Sequence, residues 1–384
     1  MTDSDSTPCV IGLISGTSGD GIDVALVSFG ESVTVVHAET ASFEAGLHAD
    51  IKAALTAPDT LTAAEFGRLH VALGCAFADA AQQVRNQHKD LDVIAIASHG
   101  QTLFHAPGAA PSFTLQAGDA ATIAHRCGLP VIADFRAADM AAGGEGAPLA
   151  PLFHSAVLAQ PDEHLAVVNL GGIANLTVIQ PDSAVRGFDT GPANALMDVW
   201  SEQHFGQPFD TDGAIAASGR CHDELLSAMR ADPYFQKPPP KSTGREYFNA
   251  EWLKTMLRIG NVEQLSQQDA GRRDIMATLL ELTASTVADA IKQHSSECAE
   301  VLLCGGGAAN QRVVDALRRA LPSTQIASTA SRGIDPDFVE AALIAWLGWQ
   351  RWQGQPVDTR AITGASRVIF AGDICLPPDG IEDE

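Results

Sequence analysis

The sequence predicts an α/β protein of two lobes, each built on a mixed sheet and opened by a hairpin of one type, with a cleft between them. Three stretches carry that prediction. Residues 10–29 read as strand, glycine turn and strand, and residues 166–179 repeat the pattern at similar length. Residues 300–304 form an apolar strand that leaves through Gly305, Gly306 and Gly307 into a helix. A chain of 384 residues is long enough for two cores. The expected partition is 1–135 with 340–384 in one lobe and 136–339 in the other.

The first hairpin joins strand to strand. That excludes the P-loop and the dinucleotide fingerprint, which both run from a strand into a helix. Gly16, Gly19 and Gly21 let the backbone reach φ > 0 and turn successive N–H groups toward one anion, with Gly171 and Gly172 as the counterparts in the second hairpin. Thr17 and Ser18 add hydroxyl donors. Asp20 and Asp23 suit a hydrated magnesium ion or a positioned water. An ordinary hairpin with a polar tip fits the same residues.

A third strand is expected over 32–41. Pro58-Asp59 then precedes a long helix whose Phe66, Leu69, Leu73, Phe77, Ala80 and Val84 share one face. Residues 91–98 are a buried strand ending in His99-Gly-Gln-Thr102, residues 113–119 lead into a helix with Ile123 and Ala124, and 130–135 form another strand. Residues 136–149 read as an irregular Gly/Ala-rich loop. In the second half, 185–189 are a short strand, and 190–194 open a helix with Pro192 in its first turn. Residues 232–249 are a Pro-rich extended loop. Ile275, Leu279, Leu282, Val287 and Ile291 mark a helix, Asn310 caps the next, and Asp335-Pro336 caps the last.

A net charge of −23 and a pI of about 4.7 argue against nucleic acid or an anionic membrane surface as partner. The first residues lack a basic, then apolar, leader pattern, and no apolar run approaches the roughly 18 residues of a membrane helix. Seven cysteines without CxxC spacing read as reduced thiols of a cytoplasmic protein, with no zinc site implied. Small molecules are the expected partners; a homodimer is compatible with the sequence, which does not fix the oligomeric state.

The paired hairpins and the strand–Gly-Gly-Gly–helix together resemble the two-lobed actin/hexokinase/Hsp70 type of ATPase fold, a duplicated ribonuclease-H-like architecture. In that fold both hairpin turns hold nucleotide phosphates and the late glycine turn lies against the adenosine. The motifs are more specific. Ser15-Gly-Thr-Ser-Gly-Asp-Gly-Ile-Asp23, Ser98-His-Gly-Gln-Thr102, Ala133-Asp-Phe-Arg136 with Asp139-Met-Ala-Ala-Gly-Gly-Glu-Gly-Ala-Pro148, Asn169-Leu-Gly-Gly-Ile-Ala-Asn175, Gly187-Phe-Asp-Thr-Gly-Pro192 and Pro240-Lys-Ser-Thr-Gly-Arg-Glu246 resemble the bacterial anhydro-N-acetylmuramic acid kinases. The resemblance spans about 11–347. It implies use of ATP and Mg2+, hydrolytic opening of the 1,6-anhydro bridge, and phosphorylation of O6 to give N-acetylmuramic acid 6-phosphate for cell-wall recycling. Gly19, Ala193 and Ala309 depart from the residues usual there, which puts nucleotide affinity in question.

The resemblance places ATP at Gly16, Thr17, Ser18, Gly19, Asp20, Gly21, Ile22, Asp23, Gly171, Gly172 and Gly305–Gly307. Asp189, at a strand end, is the choice for general base toward the attacking water; otherwise it merely caps the helix at Pro192. Arg136 and Asp139 suit the lactyl carboxylate and sugar hydroxyls, although an Arg after a strand is often only solvated. Glu340 is either a sugar ligand or a first-turn carboxylate favoured by the helix dipole. His99 and Gln101 follow a buried strand, and a lone His there is more often structural. Lys241 and Arg245 either screen phosphate or carboxylate, or lie on a solvated loop. The alternatives are another acetamido-sugar kinase of this fold, in which Asp189 deprotonates a hydroxyl, and an actin- or Hsp70-like ATPase with no sugar substrate.

Overall fold

The computed structural model describes residues 7–16 and 18–378, which form two compact units. The first takes the chain up to Phe153 and again from Phe338; the second is the continuous stretch His154–Asp337. Residues 136–153, assigned above to the second lobe, thus pack with the first. The reason is polar: Asp139 Oδ1 accepts from Thr363 Oγ1 at 2.8 Å, and Arg136 Nε donates to His99 Nε2 at 2.9 Å.

In the first unit β1 (Pro8–Ser15), β2 (Gly21–Phe29) and β3 (Val33–Ser42) make an antiparallel meander. After helices Ala45–Thr56 and Ala63–Gln87, β4 (Asp92–Ala106) inserts parallel to β1. β5 (Phe113–Ala117) folds back on β4, and β6 (Val131–Ala133) pairs parallel to it; the late strand Asp373–Cys375 closes that edge. The long helix buries Leu69, Leu73, Phe77, Ala80 and Val84, the face expected from their spacing, while Phe66 packs at its margin. Thr62 and Glu65 form a capping box at its start. On the sheet lies helix Val339–Trp352, so close that a Cβ on Gly12 of β1 would stand 2.1 Å from the Ala341 carbonyl oxygen.

The second unit repeats the plan with fewer strands. β7 (Leu165–Leu170), β8 (Ile173–Ile179) and β9 (Arg186–Pro192) are the antiparallel meander. β10 (Glu300–Cys304) and β11 (Gln325–Ser328) extend it in parallel, giving the order β11-β10-β7-β8-β9. Helix Asp269–His294 is the central packing element and buries Ile275, Leu279, Leu282, Val287 and Ile291. Two expected helix starts are corrected. Pro192 closes β9 and the helix begins at Asn194. Asp335 turns its carboxylate to the Asp337 amide and the helix expected there begins at Val339, followed by a further short helix Arg360–Thr363. Asn310 caps its helix through the amides of Arg312 and Val313, as expected. Among the described residues no helix is long and apolar enough to cross a membrane.

Candidate active site

In the first unit the β1–β2 turn is set by β4. The β1–β4 register shifts between Leu13 and Ile14, which brings Gln101 opposite Ser15. Ser15 Oγ donates to Gln101 Oε1 at 2.6 Å, and Gln101 Nε2 donates to the Gly16 carbonyl at 3.1 Å. Fully buried, Gln101 is the footing of the glycine turn. Gly19 has φ +65°, and an added Cβ would come within 2.8 Å of Ile51 and Leu55, so this departure from the family pattern is bedded on the helix Ala45–Thr56. Ile22 is buried in the core and offers the turn only its backbone. Thr17 lies outside the described residues.

That same helix supplies a cation. Lys52 Nζ donates to the Ser18 carbonyl and to Asp20 Oδ1, both at 2.7 Å. Partial burial would raise the Asp20 carboxyl, but hydrogen bonds from Lys52 and Ser18 and the Lys52 charge hold it below its ordinary value. Asp23 Oδ1 accepts from Thr40 Oγ1 at 2.7 Å across the β2–β3 ladder. Among the described residues no three His, Cys, Asp or Glu groups converge as a metal site.

A second cluster in this unit centres on Arg136. Its Nε donates to His99 Nε2 and its Nη1 to the Gly146 carbonyl at 2.8 Å. Burial, reinforced by the Arg136 charge, lowers His99 to about 3. The ring is therefore neutral, and because Nε2 accepts, the proton sits on Nδ1, 3.3 Å from the Gly100 carbonyl. Burial also lowers Arg136, against the opposing charges of Glu340 and Asp139. Asp139 is fully buried and accepts from the Gly146 amide at 2.7 Å and from Thr363. It ties the loop to the C-terminal segment. His99 is a support for Arg136. Glu340, the last of the five expected substrate groups, is exposed in the first turn of its helix.

In the second unit Asp189 stands beside a β-bulge. The β8–β9 register pairs Ala174 with Gly191 but Asn175 with Asp189, so Thr190 is the extra residue, and such bulges re-aim the neighbouring side chains. Asp189 is held three ways, twice by the loop 237–243 and once by Tyr234 of the short helix Pro233–Gln236. Its amide donates to the Lys241 carbonyl at 3.1 Å, its carbonyl accepts from Tyr234 Oη at 2.8 Å, and its Oδ2 accepts from the Thr243 amide at 2.9 Å. Helix Asn194–Phe205 starts beyond it without a side-chain cap, so Asp189 does not cap that helix. Lys241 Nζ sits 4.8 Å from the Tyr234 ring centre, and burial lowers its ammonium against the charge of Asp189.

The second hairpin turn is anchored from behind. Ala193 and Ala195 amides donate to the Gly172 carbonyl and the Asn194 amide to the Gly171 carbonyl, each at 3.0 Å. Ala193 meets its position with φ −114°. Gly305 has φ +76°, and a Cβ there would fall 2.2 Å from Asn169 Oδ1, so only glycine lets the β10 exit close on β7. Gly306 and Gly307, with Asn194, Met197, Asp198, Phe209 and Ala309, line a largely apolar cavity of about 390 Å³. Asp210, Thr211, Asp212 and Asn310 complete its lining, and a mostly apolar surface with such polar groups suits a heteroaromatic base.

Sequence reasoning missed Lys52, Tyr234, Thr243 and Asp198. The Lys241-Ser-Thr243 motif carried a signal for Thr243; the others act through contacts distant in sequence.

A family model described as anhydro-N-acetylmuramic acid kinase matches residues 8–377. A protein of that name from Xanthomonas axonopodis pv. citri (strain 306) is 46% identical over 374 residues, covering 96% of this chain and 98% of its own. One from Xylella fastidiosa (strain Temecula1 / ATCC 700964) is 42% identical over 373 residues, 96% of each chain. Among solved structures, an activator of 2-hydroxyisocaproyl-CoA dehydratase from Clostridium difficile aligns over 90% of this chain and 96% of its own with TM-score 0.45 and 13% identity.

Proposed function

The chain belongs to the anhydro-N-acetylmuramic acid kinase family, and on that premise we propose that Asp189 is the base with which it opens 1,6-anhydro-N-acetylmuramic acid and drives phosphorylation of O6 by ATP. The observation that carries the role of Asp189 is its fixed carboxylate, held beside a bulge by the Thr243 amide. Water attacks the anomeric carbon and gives its proton to Asp189. The C1–O6 bond breaks, and O6 takes the γ-phosphoryl group from ATP, leaving ADP. A glycosidic oxygen normally leaves with a proton from a general acid. Here the incoming phosphorus neutralises O6, so no second carboxylic acid is needed.

The two glycine turns receive the phosphates, and the cavity beside Gly306 and Gly307 receives the base of ATP. Arg136, held in orientation by His99 and the Gly146 carbonyl, binds the lactyl carboxylate, and Glu340 a sugar hydroxyl. The carboxylates of Asp20 and Asp23 fit a magnesium ion that arrives on the nucleotide and is met through water, since no protein cage for it converges among the described residues. When bound, the ion offsets phosphate charge. The free state of all seven cysteines supports a cytoplasmic location.

Incubation with ATP, magnesium and the anhydro sugar in ¹⁸O-labelled water tests the reading by mass spectrometry. A sugar 6-phosphate carrying one label at the anomeric carbon is expected. Phosphate transfer without label would favour the simple acetamido-sugar kinase, and no sugar phosphate at all would remove the reading.

A further inference from the structure

The cations Lys241 and Arg245, four residues apart, separate in space. Lys241 turns to Tyr234 and the Asp189 side of the loop, whereas Arg245 reaches the second glycine turn. A Cβ built on Gly172 would stand 3.2 Å from Arg245 Nε and 3.3 Å from its Nη2, so the guanidinium rests directly on the turn's backbone. The carbonyls of Gly171 and Gly172 are both spent on the start of helix Asn194–Phe205. In a planar trans peptide the N–H points opposite to the C=O. The amides of Gly172 and Ile173 therefore face away from that helix. Arg245 is exposed, and no salt bridge to it is formed among the described residues. In a chain of net charge −23, a guanidinium left on a glycine turn is a notable local concentration of positive charge.

We propose that Arg245 is the phosphate-binding cation of the second glycine turn, its guanidinium and the adjacent turn amides together taking oxygens of the nucleotide's terminal phosphate, with Asp198 as the counter-charge in the ligand-free state. This rests on the phosphate role given above to Gly171 and Gly172. Arg suits the task because its planar fork offers two parallel donors to a phosphate. Asp198 lines the adjoining cavity with Asn194 and Gly306. Burial pushes its carboxyl up to about 6, against the pull of the Arg245 charge. Besides Asp198, the charged groups lining that cavity are Asp210, whose carboxylate holds the amides of Ile215 and Ala216, and Asp212. Both are negative, so neither offers a cation to a phosphate, whereas Arg245 stands at the glycine turn. Above pH 6 an ionised Asp198 competes with phosphate for Arg245; below it, the protonated carboxyl does not.

The test compares Arg245→Gln, Arg245→Lys, Asp198→Asn and Gly172→Ala in the full chain, by calorimetry with a non-hydrolysable ATP analogue and with adenosine. Circular dichroism serves as the folding control. Arg245→Gln should weaken the analogue by about 10- to 100-fold, the cost of a charge-assisted hydrogen bond, and leave adenosine unchanged. Arg245→Lys should fall between. Asp198→Asn should tighten the analogue relative to the parent at pH 7.5, with the difference vanishing at pH 5. Analogue affinity unchanged in Arg245→Gln but lost in Gly172→Ala would overturn the role of Arg245 and leave the turn's role intact. Analogue affinity unchanged in both would overturn the proposal together with the phosphate role of the turn.

Discussion

Replacing Asp189 with Asn changes one atom of the carboxylate and nothing of its framework. The Asn carbonyl oxygen can still accept from the Thr243 amide, now at 2.9 Å from Oδ2, while the backbone bonds to Lys241 and Tyr234 do not involve the side chain. The amide nitrogen, however, cannot take a proton from water. A positioned base is worth roughly 10²–10⁴-fold in rate, or about 2.7–5.5 kcal/mol of barrier. The structural cost is smaller: a charge-assisted hydrogen bond becomes a neutral one, at about 1 kcal/mol, which lowers the melting midpoint of a unit this size by about 2–4 °C. The assay is steady-state formation of sugar phosphate, paired with calorimetric binding of an ATP analogue and a melting curve. Turnover should fall by at least 100-fold with nucleotide affinity unchanged. A variant that keeps turnover within tenfold of the parent would refute the argument, because the carboxylate would then be a structural group.

Two further outcomes follow from buried polar groups. Asp232 accepts from the Tyr234 amide and Tyr247 Oη at 2.8 Å and from Trp252 Nε1 at 2.9 Å, so Asp232→Ala orphans two buried donors, the Tyr234 amide and Trp252 Nε1. It should cost about 3 kcal/mol or more in urea unfolding and loosen the loop that holds Asp189. His154 is fully buried, its Nδ1 2.8 Å from Thr177 Oγ1, and burial lowers it to about 3, as it does His99. Both pKa values lie below that of an unfolded His, so the unfolded chain binds the extra protons. Their contribution to stability is complete above about pH 6.5 and is lost as pH falls toward 3, at roughly 1.4 kcal/mol per pH unit for each His. His154→Gln should flatten that slope by one proton in unfolding curves taken between pH 6.5 and 4.

Both hairpins were legible because alternating and β-branched apolar runs on either side of glycines leave few other readings. Helix Ala45–Thr56 was not, since it buries only Ile51 and Ala54 and so carries little period, yet it brings Lys52 to the first turn. Pro192 looked like a helix start because the bulge at Thr190 that prolongs β9 leaves no mark in local composition. In the site, Asp189 stood out by its motif. Gln101 and Asp139 did not declare their roles: a polar side chain beside glycines looks the same in sequence whether it holds a ligand or a backbone amide. Only their burial and partners separate the two.

The path of the chain through the first unit bears on how the protein is made. Helix Val339–Trp352 covers the sheet that begins at Pro8, with Gly12 against Ala341 and Gly348 against Ala97, yet the whole second unit is encoded before it. During synthesis the second unit is complete in sequence while the first still lacks its covering helix. At about 5–20 residues per second, the roughly 180 intervening residues take about 10–40 s to emerge. For that interval β1 and β4 lack the helix that covers them, so the earliest segment made is the last to be sealed.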